Sequence, residues 1–354
     1  MPVQRLHFLL PFALPSAADA ALSRLPPDCP ALDRLLARAS LVERTAGEDF
    51  QRTLPHERWL ARQFGAIAGD ALDDAPLAPY MLAADGGAPG DAVWACVQPV
   101  HVQIARDHLV LIDPASLDLS DDEAATLLAV ARPLIEELGV ALQAPHPARW
   151  YLSSPQLSTL AGAAPLRASG RNIEIWLPHE ARTGERSRLW MKLQNEIQMA
   201  WFEHPVNTAR EARGYPAVNS IWFHAQGAFR PVTSPFARVL STAPAALGLA
   251  RAARTAAGAP PAGFDARLAA AGTTLIELDP LTLPFLEQDW GNWSAALTAL
   301  ERDWFAPALQ ALAGGRLGEL AFTLCGDTGS VTLAVNRGDL RKFWRRRTLA
   351  SLFE

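Results

Sequence analysis

What most limits the fold of this chain is the alternation that begins after Pro216. "VNSIWFH" has the pattern of a strand, "LGLARAARTAAG" of a helix, "TTLIELD" of a strand and "WSAALTALERDWFAPALQAL" of a helix. "GELAFTLCG" and "SVTLAVN" are again extended, and "LRKFWRRRTLASLF" is expected to close the chain as a helix. Strands and helices in alternation bury each other only when helices cover the faces of a largely parallel sheet. An α/β domain is therefore expected.

The N-terminal part supplies more of the same domain. "LHFLL" reads as a first strand that ends in a Pro-rich loop, with Pro11 and Pro15 breaking the apolar run. That run also imitates a secretory leader, but its apolar core is short for one. "PALDRLLARA" and "LPHERWLARQFG" carry apolar residues at helical spacing. The loop "AADGGAPGDA" then marks a boundary, after which "AVWACV", "VHVQI" and "DHLVLID" read as closely spaced strands. In "SDDEAATLLAVARPLIEELG", Ser120 and Glu123 form a capping box and Gly139 is the stop. "VALQA", "RWYL" and "NIEIW" are strand-like, and a long helix is expected from about 178 to 202 with Leu189, Leu193, Ile197 and Trp201 on one face. The chain of 354 residues thus divides into a discontinuous α/β core, 1–85 and 215–354, and an inserted α+β module, 86–214.

Composition narrows the class of function. Apolar residues make up 49% and charged residues 19%, with no apolar run long enough to span a membrane. The net charge of −5 provides no global field for nucleic acid. Cys29, Cys96 and Cys325 are widely separated and form no framework of bridges, which fits a cytoplasmic protein.

Chemistry-bearing side chains gather in one stretch, "EHPVNTAREARGYPAVNSIWFHAQG", residues 203–227. Arg210 and Arg213 stand three apart on a short expected helix that starts near Asn207, an arrangement suited to a phosphate or carboxylate. His204, Asn207, Arg210, Arg213, Asn219 and Gln226 are the candidate binding residues, with Asn195 and Glu196 on the preceding helix. The same residues would equally serve as a structural crossover, with His204 and Asn207 as caps and the arginines paired to Glu203 and Glu211. The terminal "RKFWRRR" is a further basic, aromatic stretch, suited to nucleic acid or an acidic partner, or else to a solvated helix end.

The segment "HPVNTAREARGYPAVNSIWFHAQG" resembles archaeal-type, cofactor-independent phosphoglycerate mutases. Taken with "LWMKLQNEIQMAWFEHPVN" and "RKFWRRR", it is more closely similar to the RpfE-type regulatory proteins of proteobacteria, relatives of those mutases. The resemblance covers about 170–230 and the end of the chain, and extends loosely to "PALDRLLARA" and "ALERDWFAPAL". It implies an alkaline-phosphatase-like core sheet with helices on both faces, interrupted by an inserted module. It also implies phosphoryl transfer by two divalent metals and a Ser or Thr nucleophile, with ligands in three places.

At each place this sequence departs from that pattern. After the first strand stands "LLPFALPSAAD", with Ser16 the hydroxyl and Asp19 the nearest carboxylate. "LIELDPLTLPFLEQDWGNW" offers Glu277, Asp279, Glu287 and Asp289 but no His. In "LCGDTGS" Asp327 persists while Thr328 stands where a His is implied, and all eight histidines precede residue 225. No catalytic residue and no metal ligand is therefore assigned, and no cofactor is expected. The expected protein is a regulatory or binding one with a degenerate metal site, taking an anionic or phosphorylated small molecule or a protein partner. The alternative is an active mutase-type phosphotransferase with an altered site, which alone would call for Mn²⁺ or Mg²⁺.

Overall fold

The computed structural model describes residues 4–48, 50–67, 74–268 and 272–353. Its first strands are β1 (Gln4–Leu14), β2 (Ser40–Thr45), β3 (Val93–Val100), β4 (Val102–Ile104) and β5 (Leu109–Leu111). Next come β6 (Ala141–His146), β7 (Arg149–Ser153), β8 (Leu160–Ala161), β9 (His179–Glu180) and β10 (Ser220–Ala228). The last are β11 (Arg238–Leu240), β12 (Ala256–Gly258), β13 (Gly272–Glu277), β14 (Glu319–Gly326) and β15 (Ser330–Asn336).

Seven of these make a mixed, mostly parallel sheet in the order β12-β11-β13-β1-β14-β15-β2. Only the β14–β15 and β15–β2 pairs are antiparallel. β1 lies in the middle, paired in parallel with both β13 and β14. Its near-continuous apolar sequence is what a strand covered on both faces requires. Leu6, Phe8 and Leu10 point into one core with the helices Pro30–Arg38, Trp290–Leu300 and Ala306–Ala313. Leu9 points into the other, with the helices Pro55–Gln63, Ala78–Ala84 and Pro244–Ala252. Pro11 does not end the strand. It sits in a register shift between Leu10 and Leu14, where Phe12 has a positive φ of 52° and a missing N–H costs no ladder bond.

A second, antiparallel sheet has the order β10-β3-β7-β6. The helices Asp121–Glu137 and Arg188–Trp201 pack on it around Trp150, Trp201, Ile197 and Phe223. The Ser120–Glu123 capping box forms, and Gly139 turns the chain with φ 69°. No helix of the described residues is long and apolar enough to cross a membrane.

Four local expectations need correction. β10, expected to enter the core sheet after residue 215, pairs instead with β3, because its Trp222 and Phe223 find their apolar partners on the second sheet. "NIEIW" is a 3₁₀ turn, Ile173–Trp176, since Asn172 accepts the Glu174 N–H (3.0 Å) and Ile173 and Trp176 face inward together. The long helix begins at Arg188, where Ser187 caps it, and not near 178. The closing helix is absent: only the 3₁₀ turns Asp339–Arg341 and Ala350–Leu352 form. Arg38 takes the carbonyls of Lys342 and Arg345 that a helix would use, and like charges at helical spacing disfavour one.

The helices Ala78–Ala84 and Pro244–Ala252 cross where Gly248 leaves no side chain, and a Cβ there would meet the Tyr80 carbonyl oxygen at 2.4 Å. Gly248→Ala is expected to cost about 1–3 kcal/mol by forcing the two helices apart. Urea unfolding reads this as a lower midpoint at unchanged slope, with Gly258→Ala, which meets nothing within 4 Å, as the neutral control.

Candidate functional site

The carboxyl ends of β1, β13 and β14 open on one side of the core sheet, the place where open α/β sheets bind ligands. A cleft of about 800 Å³ lies there. Ser16 and Asp19, at the cap and in the first turn of the helix Ala17–Ser23 after β1, Phe285, Glu287 and Trp290 from the segment after β13, and Asp327 and Thr328 after β14 line it. The far wall comes from the chain between β5 and β9, with Asp113, Ser169, Gly170 and Arg171. The three segments in which the resemblance places ligands therefore do converge.

Behind the Asp327 wall lies a cluster of arginines. Arg167 and Arg171 both donate to Asp327 Oδ1, at 3.0 and 2.8 Å. Arg167 is almost fully buried; it also donates to the Thr53 carbonyl at 3.4 Å, while its Nε has no partner among the described residues. Arg58, equally buried, donates to the carbonyls of Thr53 and Thr328. Arg52 holds the carbonyls of Ile175 and Trp176, each at 2.9 Å, and approaches His179 Nδ1. Burial first, and the neighbouring Arg167 second, bring Arg58 down to about 10. Burial likewise depresses Arg167, with Asp327 opposing. His56 beside them is lowered to about 3 by burial and then by Arg167 and Arg58, so it is neutral.

Buried carboxyl groups complete the centre. Glu57 accepts the Leu54 N–H at 2.8 Å, and Glu277 accepts the Ser241 hydroxyl; burial raises each to about 7. Asp279, bonded to the Thr282 hydroxyl, is raised to about 6 by burial, with Asp113 nearby.

The residues of 203–227 are placed elsewhere, and none of the eight candidates lines the cleft. His204 caps the helix Pro205–Ala212 by accepting the Val206 N–H. Asn207 ties two chain segments together, donating to the carbonyls of Trp201 and Val218 (both 2.9 Å) and accepting the Val218 N–H (2.8 Å). Arg210 is fully buried and spans the Pro216 and Leu117 carbonyls and Glu123 (2.8 Å). Arg213 meets the same Glu123, and both arginines lie over Tyr215. Asn219 exchanges two hydrogen bonds with Val102, and Gln226 accepts the Gly162 N–H. Asn195 is exposed, and Glu196 pairs loosely with Lys192. The arginines' partner is Glu123, not Glu203 or Glu211. Burial alone would raise the Glu123 carboxyl, but the Ser120 N–H, Arg213 and Arg210 hold it below its ordinary range.

The donor set does not fit a two-metal cage. Asp327 is bridged by two guanidinium groups, and Ser16 donates to Asp19 at 2.6 Å while capping its own helix. A divalent ion at Asp327 would have to stand beside two fixed positive charges. Arg52, Arg58, Arg167 and Arg171 escape sequence reasoning, since they are single residues among many arginines with no motif around them.

No protein-family model matches the chain, and no curated protein does. Among solved structures, the PH0037 protein from Pyrococcus horikoshii is 12% identical with a TM-score of 0.53, over 95% of this chain and 88% of that one. A cofactor-independent phosphoglycerate mutase from Thermoplasma acidophilum DSM 1728 is 14% identical with a TM-score of 0.43, over 99% and 94% of the two chains. The first likeness shows a shared fold.

Two outcomes are expected. Arg210→Met leaves Glu123 without its buried partner and is expected to cost about 3–5 kcal/mol in thermal or urea unfolding; a loss below 1 kcal/mol would refute the structural role. Glu57 and Glu277 hold protons more tightly folded than unfolded. As pH rises from 4.5 to about 7 the unfolded chain ionises them first, so each disfavours folding by about 3 kcal/mol above pH 7. Glu277→Gln should therefore gain stability over the parent at pH 8 and not at pH 4; equal differences at both would count against the assignment.

Proposed function

We propose that the chain is a regulatory binding protein on a phosphoglycerate-mutase-like scaffold, with an alkaline-phosphatase-like core interrupted by an inserted module, as in the RpfE-type proteins. In this reading the cleft binds a small phosphorylated molecule and performs no phosphoryl transfer. The observation that supports it is the pairing of Arg167 and Arg171 with the single carboxylate of Asp327. Two guanidinium groups against one carboxylate leave net positive charge at that wall, with Arg171 on the cleft surface. Asp113 and Glu287, elsewhere on the lining, accept hydroxyl groups and repel a second anion. The ligand that suits both walls therefore has one phosphate and adjacent hydroxyls.

Calorimetric titration tests this with glycerol phosphate and phosphoglycerate as probes. Glycerol phosphate is expected to bind more tightly than phosphoglycerate, which carries a second anionic group, and Arg171→Ala is expected to weaken it at least tenfold. If neither probe binds, or Arg171→Ala binds as well as the parent, the cleft is not an anion site. Interconversion of phosphoglycerates on addition of Mn²⁺ or Mg²⁺ would establish the catalytic alternative instead.

A further inference from the structure

The seven-stranded sheet ends at β2, with no strand of the described residues on its outer side. Pairing with β15 shifts register at Val42, between the Thr332–Glu43 and Leu333–Leu41 pairs, and Leu41 and Val42 are 54% and 63% exposed. The 341–347 segment runs beside this edge. Its course is fixed by interlocking arginines: Arg38 donates to the Lys342 carbonyl (2.8 Å) and to that of Arg345, Arg345 returns bonds to the Arg38 carbonyl (3.3 Å) and Ser40 Oγ (3.0 Å), and Arg347 reaches the Ala39 carbonyl (3.1 Å). A hollow of about 480 Å³ separates strand and segment.

One feature of this surface does not follow from edge protection alone. Charge suffices to blunt a strand edge. Phe343 and Trp344, packed edge to face at 5.4 Å, are nevertheless 76% and 66% exposed beside it. The local carboxylates are also engaged inward, Glu43 by Arg62 and Asp339 by Lys342, while Arg44, Arg341 and Arg346 are exposed. An unpaired strand edge, exposed apolar side chains and surplus guanidinium groups therefore occur together.

We propose that the β2 edge and the 341–347 segment form a docking surface for an extended acidic peptide segment of a protein partner. The peptide adds as a strand to β2, its main chain pairing with the free edge. Its apolar side chains rest on Leu41, Val42, Phe343 and Trp344, and its carboxylates meet Arg44, Arg341 and Arg346. A protein segment fits better than nucleic acid because only a polypeptide satisfies the N–H and C=O groups of a strand edge.

Fluorescence polarisation on the full chain tests the proposal with a labelled octapeptide alternating Glu and Val, the same peptide with Lys for Glu, and a version with Pro at alternate positions. The Glu–Val peptide is expected to bind at least tenfold more tightly than either control. Arg341→Glu with Arg346→Glu, and separately Phe343→Ser with Trp344→Ser, are each expected to weaken it at least tenfold at an unchanged melting temperature. Equal binding of the three peptides, unchanged binding by both variants, or binding of a single-stranded oligonucleotide in place of the peptide would overturn it. Self-association through this edge that excludes the peptide would also overturn it.

Discussion

The structure depends on how it accommodates the charge of Arg167. A guanidinium group this deep in a protein is tolerated only when fixed acceptors surround it. Here they are Asp327 at the end of β14 and the Thr53 carbonyl, and the same acceptors bind Arg171 and Arg58. Three stretches distant in sequence meet at this point: the loop after β2, the 165–179 stretch, and the turn after β14. Arg52 extends the connection by holding the carbonyls around Trp176. The polar centre thus ties the second sheet's loops to the carboxyl edge of the core sheet and forms the rear of the cleft.

Much of the fold could be read from periodicity. The central strand, the helices on both faces of the core sheet, and the Ser120–Glu123 box are all carried by local pattern: apolar runs, i to i+4 spacing and a cap. The errors arise where a distant partner overrides local preference. "RKFWRRR" has helical letters, but Arg38, three hundred residues earlier in the chain, takes its carbonyls. Likewise β10 follows its Trp and Phe side chains to the second sheet. The arginine cluster is illegible for the same reason, since each Arg is local noise until the fold brings Asp327 to it.

The polar stretch 203–227, the most conspicuous in the sequence, is engaged in joining a helix pair to the second sheet. Glu123 both caps its own helix and accepts from Arg210 and Arg213, so both arginines are engaged by a carboxylate of the same chain. In the proposed reading the anion-facing role belongs instead to Arg171, which lines the cleft with Asp113 and Glu287 on its other walls. Burial keeps the other acids of the centre, Glu57, Glu277 and Asp279, protonated at a pH where exposed carboxyls are ionised.

The account stands on Asp327 being occupied by guanidinium groups in place of divalent ions. The most direct measurement is a titration of EDTA-stripped protein with Mn²⁺, followed by electron paramagnetic resonance. The account predicts that the spectrum of free Mn²⁺ appears from the first addition, with no saturable tight site. Stoichiometric loss of that signal, abolished by Asp327→Ala, would contradict it.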